Sequence, residues 1–509
     1  MSYSSFSILR PGQAIARKLI ESVPFDDFRK SILGAVAGGQ RVVAFFGDAP
    51  SSGTEVDLYS VIADSRRGLL RVGKVTLDSE RFQSLTHDCP QVHLFEREIA
   101  EQYGIRPEGH PWFKPVRFHA SYKSGRDAWG RKPGEEPIVG VTDYFRVEGE
   151  EIHEVAVGPV HAGIIEPGHF RFQCHGEQVF HLEISLGYQH RGIEQAIIGG
   201  PSKRTIHMME EVAGDTSIGH ATAYCQALES LTGCQVPIRA ESLRAIALEL
   251  ERLANHTGDL GALAGDVGFL PTASYCGRIR GDFLNLTALI CGNRFGRDMI
   301  RPGGVGFDLD KGRRKLCLER LETAYQDVEN AVSLLWESAS VQARFEGVGT
   351  VTVDDCVSLG LVGPAARACG IENDVRQDFP SGIFRFAQVA VSTWQTGDVF
   401  ARAYVRWLEI QRSVAFVRSQ LQELPEGPVK AKIGNAKPDL FTVSLVEGWR
   451  GQICHVVQTD GNGQFVRYKI VDPSFHNWTG LAMALRDQQI SDFPLCNKSF
   501  NLSYCGYDL

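Results

Sequence analysis

Several long stretches of this 509-residue chain return an apolar side chain every three to four residues, which commits those stretches to helices sharing one core. The clearest runs Glu241-Ser-Leu-Arg-Ala-Ile-Ala-Leu-Glu-Leu-Glu-Arg-Leu-Ala-Asn-His256, with acid–base pairs between its apolar positions. Ser242 is its candidate cap. Residues 313–340 and 393–423 keep the same period, and 203–233 keeps it less cleanly. Four long helices imply a bundle. After it, residues 439–470 alternate apolar and polar around Asp460-Gly-Asn-Gly463, a hairpin signal. Ahead of it, residues 1–118 mix short apolar runs, such as Arg41-Val-Val-Ala-Phe-Phe46, with helical stretches and read as a small α/β domain. Residues 119–147 form a linker, polar and rich in Gly, Pro and charge from 119 to 137, and 148–509 make the second, mainly helical domain. The expected class is α+β, a helical bundle flanked by β hairpins.

The net charge of −8 gives no reason to expect nucleic-acid binding. No run approaches the roughly 20 apolar residues that span a bilayer, and the amino terminus has no export signal. These features describe a water-soluble chain. No two of the 12 cysteines are separated by only two residues, so the C-x-x-C chelating spacing is missing. Most read as small buried apolar side chains; Cys496 and Cys505, near the end of the chain, are also open to a binding role.

Several segments concentrate chemistry. Phe95-Glu-Arg-Glu-Ile-Ala-Glu-Gln-Tyr-Gly-Ile105 puts Glu96, Arg97, Glu98 and Glu101 on a helix, as a face that docks a partner or as a solvated one. Val157-Gly-Pro-Val-His-Ala-Gly-Ile-Ile-Glu-Pro-Gly-His-Phe-Arg-Phe172 is loop-like, with His161, Glu166 and His169 inside it. Imidazole titrates near neutrality, so such a loop suits coupled electron and proton transfer; histidines on a surface loop are the plain alternative. Asp398, Arg402, Arg406 and Glu409 share one helical face, as a buried ion network or an exposed ladder.

The first of these segments resembles the signature of the 30-kDa subunit of proton-pumping NADH-quinone oxidoreductase, complex I. The 157–172 loop resembles that of group 4 membrane-bound nickel-iron hydrogenases and, more loosely, the quinone-cavity loop of the 49-kDa subunit of complex I. Leu182-Glu-Ile-Ser-Leu-Gly-Tyr-Gln-His-Arg-Gly-Ile-Glu194 resembles a signature both families share, and Glu447-Gly-Trp-Arg-Gly451 resembles the hydrogenase strand that delivers an arginine, here Arg450, over the active site. The resemblance favours burial of the Asp398–Glu409 face. It also implies that Asp266 pairs with His161 or His169, raising the imidazole pKa.

The departures are as informative. Hydrogenases read roughly C-G-x-C-x-x-x-H and D-P-C-x-x-C where this chain has Val212-Ala-Gly-Asp-Thr-Ser-Ile-Gly-His220 and Val471-Asp-Pro-Ser-Phe-His-Asn-Trp478. Ala213, Thr216, Ser474 and Asn477 stand in the four thiolate positions, and none is a ligand for a soft nickel-iron site. Ser474-Phe-His-Asn477 instead resembles P-S-F-x-N of the complex I 49-kDa type, which lost the metals and uses the cavity for quinone. The quinone-binding tyrosine of complex I falls near Glu211 to Ala213, where no tyrosine stands. The tail 492–509, which hydrogenases trim, is expected to stay attached.

The resemblance therefore implies a fusion of the 30-kDa and 49-kDa types, closest to the metal-free energy-converting hydrogenase-related complexes. It would be the large subunit of an ion-translocating oxidoreductase, peripheral on the cytoplasmic face of the membrane. Implied partners are the small iron-sulfur subunit of such complexes, carrying the 4Fe-4S cluster, and integral membrane subunits of the complex I and antiporter types. Quinone is a possible ligand, NADH a possible donor, and a nickel-iron centre is not expected. His161, Glu166, His169, Asp215, His220, Asp266 and Arg450 are the expected proton-handling groups, with Thr216, Ser474 and Asn477 lining the cavity. A hydrogen-evolving hydrogenase or formate hydrogenlyase large subunit, and a non-redox coupling scaffold, are the alternatives.

Overall fold

The computed structural model describes residues 6–49, 54–132, 134–161 and 165–509. The apolar run at 41–46 forms the strand Arg41–Asp48, at the edge of an antiparallel sheet ordered Ser7–Leu9, Leu69–Leu77, Val56–Asp64, Arg41–Asp48. A second antiparallel sheet is ordered Phe465–Val471, Gly451–Thr459, Leu440–Gly448, Ala14–Ala16. The two strands nearest the amino terminus thus enter different sheets, and Ile15 pairs with Phe441 across more than four hundred residues. Tyr59 of the first sheet stacks on Phe441 of the second, with ring centroids 5.8 Å apart. Residues 109–151 carry no helix or strand among those described.

The seam between the amino-terminal region and the rest is built from charge. Every residue of the helix His93–Tyr103 from Leu94 onward is buried. Glu96 accepts from the Ser84 and Thr86 hydroxyls and the Leu85 N–H. Glu98 pairs with Arg117 and, at 2.6 Å, with Lys469 of the second sheet. The face read as a site for docking a partner docks within its own chain, because only internal donors satisfy carboxylates at that depth.

The bundle centres on the helix Ile238–Asp266, which packs on Leu270–Cys291 and Val399–Gln422. It starts after Pro237, earlier than its apolar period suggests, so Ser242 lies inside the helix and caps nothing. The expected 203–233 helix is two, Thr205–Glu210 and Ser217–Thr232, with Ala213–Thr216 in the break. The expected 313–340 helix is Lys311–Glu337. Leu270–Cys291 was not foreseen: Gly277 and Gly281 blur its apolar stripe, although Pro271 in its first turn and the left-handed Gly292 after it are boundary signals.

The Asp398–Glu409 face is buried, as the resemblance favoured. Asp398 caps the helix by accepting from Ala401 N–H at 2.8 Å, and Arg406 donates to Asp259 at 2.8 Å. Glu409 accepts from His256 and Arg367, both at 2.8 Å, and Arg367 also reaches Glu447 at 2.8 Å. Arg376, 2.6 Å from Asp374 and 3.0 Å from Glu249, extends the network, and Arg252 donates to Glu249 and to the carbonyls of Glu447 and Gly448.

Removing one member leaves buried charge without its counterion. Arg367→Met should destabilise the chain by roughly 3–5 kcal/mol, read from denaturant midpoints, while Arg418→Met at the half-exposed pair with Glu322 should cost about 1 kcal/mol or less. Equal losses would contradict this account of the network.

Candidate functional site

Two backbone crossings hold the turn Glu447-Gly-Trp-Arg-Gly451 in place. Gly363 has φ +66, and a Cβ there would lie 2.1 Å from the Arg450 carbonyl, so only glycine fits. The neighbouring Val362 is gripped by Asn477, whose amide accepts from Val362 N–H and donates to its carbonyl, both at 3.0 Å. The turn projects Arg450 over the Trp449 ring, 3.9 Å from its centroid, and into a bidentate pair with Asp215 at 2.6 and 2.8 Å. Burial pushes the Asp215 carboxyl up, but Arg450 outweighs it and holds the group below the usual carboxylate range. Asp215 is held ionised, which makes it a fixed charge and a poor proton carrier.

Arg450 and Asp215 line a cavity of about 900 Å³. Phe170, Phe172, Phe493 and Leu502 give it apolar walls; His161 and Glu166 from the loop and Asp266, Arg280 and Lys498 add titratable or charged groups. Residues 162–164 of that loop lie outside the described residues. His161 Nε2 donates to the Gly168 carbonyl at 2.9 Å, which leaves Nδ1 as the ring's acceptor. Asp266 is exposed, its carboxyl raised by partial desolvation with Lys498 opposing. Among the described residues no hydrogen bond joins Asp266 to His161 or His169, so the expected carboxylate–imidazole pair is not formed.

The expected set divides. His161, Glu166, Asp215, Asp266 and Arg450 come together around the cavity; His169, His220, Thr216, Ser474 and Asn477 do not line it. His169 is consumed by Gly158 O at 3.1 Å and Arg171 Nε at 3.1 Å, and burial lowers its pKa. His220 lies fully buried between His455 and Asp472, at 3.1 and 3.0 Å. The Thr216 hydroxyl accepts from Trp449 Nε1 at 3.1 Å and lies 3.3 Å from Arg450 Nη1. The Ser474 hydroxyl accepts from Ser503 N–H at 2.8 Å.

That last bond shows what the sequence reading missed: the tail enters the site. Asn501 accepts from Arg450 Nε at 2.5 Å and donates to Asp259 at 2.6 Å, while Lys498, Asn501, Leu502 and Tyr504 line the cavity. The Cys505 thiol meets Glu166 and the Gly214 N–H, inside the segment where the two sulfur positions 213 and 216 are empty of sulfur, and burial pushes it up to about 11. No local pattern marks such long-range contacts; the density of polar residues in the tail was the only signal. Glu251 was also missed. It accepts from Ile218 and Gly219 N–H at the start of a helix, at 2.7 and 3.2 Å, in a crevice that shares Asp215 and Arg280 with the cavity.

The four positions that the resemblance assigns to thiolates offer no donor set for a nickel-iron centre. Ala213 has no donor atom, the Thr216 and Ser474 hydroxyls and the Asn477 amide are committed to protein partners, and none is a thiolate. Among the described residues, one set of metal-ligating side chains has atoms close enough to share an ion, His207, Glu210 and Asp298. Arg301 already pairs with both of its carboxylates, and none of the three lines the cavity.

Comparison with known proteins gives one direction. The family described as respiratory-chain NADH dehydrogenase, 49 Kd subunit, matches residues 266–439 and 431–508, and the one described as its 30 Kd subunit matches 45–125. The carbon monoxide-induced hydrogenase of Rhodospirillum rubrum is 33% identical over 350 residues, covering 69% of this chain and 97% of that protein. Hydrogenase-4 component G of Escherichia coli is 30% identical over 449 residues, covering 85% and 77%. A chain in the solved structure of the membrane-bound sulfane sulfur reductase, an archaeal respiratory membrane complex, shares the fold with a TM-score of 0.67 at 22% identity, over 71% of this chain and 99% of that one.

Glu251 gives the site a pH signature. Burial, with Asp215 adding, raises its carboxyl from 4.5 to about 8. Folded and unfolded chains are both protonated there below about pH 4.5; above it only the unfolded chain releases the proton, so stability is lost as pH rises towards 8. Glu251→Gln should flatten the fall in unfolding midpoint between about pH 5 and 8. Parallel profiles for the two proteins would show that Glu251 is already ionised.

Proposed function

From the premise that the chain belongs to the family joining the respiratory-chain NADH dehydrogenase 49 Kd subunit to membrane-bound hydrogenase large subunits, we propose that it reduces an organic acceptor at the Arg450 cavity. The chain is an oxidoreductase subunit of the complex I-like kind. No helix among the described residues is long and apolar enough to cross a membrane, so ion translocation falls to partner subunits. Electrons arrive from a 4Fe-4S cluster in a small iron-sulfur partner, since this chain has no cluster-binding spacing.

The observation that carries this reading is the cavity itself. Apolar walls suit a quinone-like body, and a fixed Arg450–Asp215 pair in the lining orients a carbonyl oxygen without exchanging protons. Reduction by two electrons takes up two protons. His161 and Glu166 stand within the cavity to deliver them, with Asp266 at its exposed side to reload from solvent. The donor set supports no nickel-iron chemistry, which weighs against hydrogen evolution despite the names of the relatives.

Two measurements separate the alternatives. Metal analysis of the purified complex should find nickel far below one atom per chain; stoichiometric nickel would refute the proposal in favour of a hydrogenase. In proteoliposomes driven by a reduced viologen, His161→Gln with Glu166→Gln should lower acceptor reduction about a hundredfold or more while the complex still assembles. Unchanged reduction and ion uptake would favour a non-redox scaffold.

A further inference from the structure

A second cavity, of about 830 Å³, lies between the first sheet and the segment that follows the helix Val353–Leu359. Nothing in the proposed redox site uses it. One wall is basic. Arg41 opens the edge strand, Arg66 and Arg67 occupy the exposed turn between Val56–Asp64 and Leu69–Leu77, and Arg71 follows in the latter strand. A single lining carboxylate, Asp64, faces these four guanidiniums. It is divided between Arg71 at 3.7 Å, Arg67 at 4.0 Å and the Gln40 amide at 3.2 Å. The opposite wall is apolar, with Val357, Leu361 and Ile371, and Ile8 stands at the rim.

Arg41 is the anchor. Its Nη2 donates to Gln452 Oε1 at 2.6 Å, but Nε and Nη1 are buried without a hydrogen-bond partner among the described residues, and so is Gln452 Nε2. Its nearest acidic influences, Glu447 and Asp378, have partners of their own in Arg367 and Ser65. Donors left unmade at that depth are costly, and a guanidinium with two of them is under-neutralised. Those two donors are closed to a solvent-sized probe, so an oxyanion in the cavity would offset the Arg41 charge and take its hydrogen bonds from the exposed Arg66 and Arg67. A single carboxylate matches one positive charge, whereas a phosphate near neutrality carries up to two and accepts from several forked donors at once. The cavity volume falls in the range that holds a small ligand, and its apolar wall suits one with a non-polar body.

We propose that this cavity is a binding site for a phosphorylated small molecule, its phosphate on Arg41 and the Arg66–Arg67 turn and its body against Val357 and Leu361.

The test uses the full chain in its assembled complex, in chloride buffers of constant ionic strength, with inorganic pyrophosphate as the bare probe and ADP as a phosphate carrying a flat ring. Calorimetry should show saturable binding of one pyrophosphate per chain, tighter binding of ADP, and a loss of affinity of about tenfold or more in Arg41→Gln. Arg66→Ala with Arg67→Ala, in an exposed turn, keeps the test informative where Arg41→Gln does not fold. Acceptor reduction should be unchanged in the turn variant, which separates this site from the redox cavity. The proposal is overturned by absence of saturable binding, by equal binding of sulfate (an adventitious ion only), by ADP no tighter than pyrophosphate, or by unaltered affinity in the turn variant. It is also overturned if binding occurs in the free chain but not in the complex, which would make the cleft a seat for an acidic partner segment.

Discussion

Four buried carboxylates and three buried guanidiniums hold the bundle, the second sheet and the 363–376 segment in one register. Glu249, Asp374, Glu409 and Glu447 face Arg252, Arg367 and Arg376, and His256 joins them on Glu409. The count is one positive charge short, because burial lowers the His256 pKa. Glu447 absorbs the difference: burial first, and then Asp374, raise its carboxyl above the usual range, while the same arginines keep Glu249 low against its own burial. A buried network of this kind adds little net stability over an apolar core, yet it tolerates few alternative packings. Its geometric product is the turn. Arg252 grips the carbonyls of Glu447 and Gly448, immediately before the residues that carry Arg450 over the cavity.

How much of this was legible depended on range. The Asp398, Arg402, Arg406, Glu409 face could be read from spacing because a helix converts sequence intervals into a surface, and the ordered motifs supplied the burial that spacing leaves open. The hairpin at Asp460–Gly463 was legible for the same local reason. The docking face at Glu96–Glu101 was legible as a face, but its partner is Lys469 and residues 114–118 of the same chain, and no periodicity encodes a contact 371 residues away. Ser242 misled because a serine before an apolar stripe also occurs inside a helix that starts earlier.

The candidate site shows the same division. His161, Glu166, Asp215, Asp266 and Arg450 were named from motifs, and each lines the cavity. His169 and His220 carried the same chemical signal, but hydrogen bonds to Gly158 and Arg171, and to His455 and Asp472, turn their rings to structural use. Residue type sets what a side chain can do; the partners that satisfy it decide whether it remains available. The tail was legible only as a dense run of polar residues, since its role rests on contacts between residue 503 and residue 474 and between residue 501 and residue 450.

Those tail contacts tie the hydroxyl at 474 to the cavity wall. A metal bridging the two motifs needs position 474 as a ligand, but the Ser474 hydroxyl accepts the Ser503 N–H and so fixes the tail's backbone against the second motif. Withdrawing Ser503 would carry Leu502 and Tyr504 out of the cavity and take Asn501 from Arg450. Arg450 would then rely on Asp215 and Thr216 alone among its hydrogen-bond partners. A hydroxyl at 474 is short and hard enough to take a backbone amide where a thiolate would favour a soft ion. The same positions cannot serve as a ligand shell and as the footing of the tail. In this chain the footing is built, and the space in front of it is lined by His161 and Glu166 rather than by ligands.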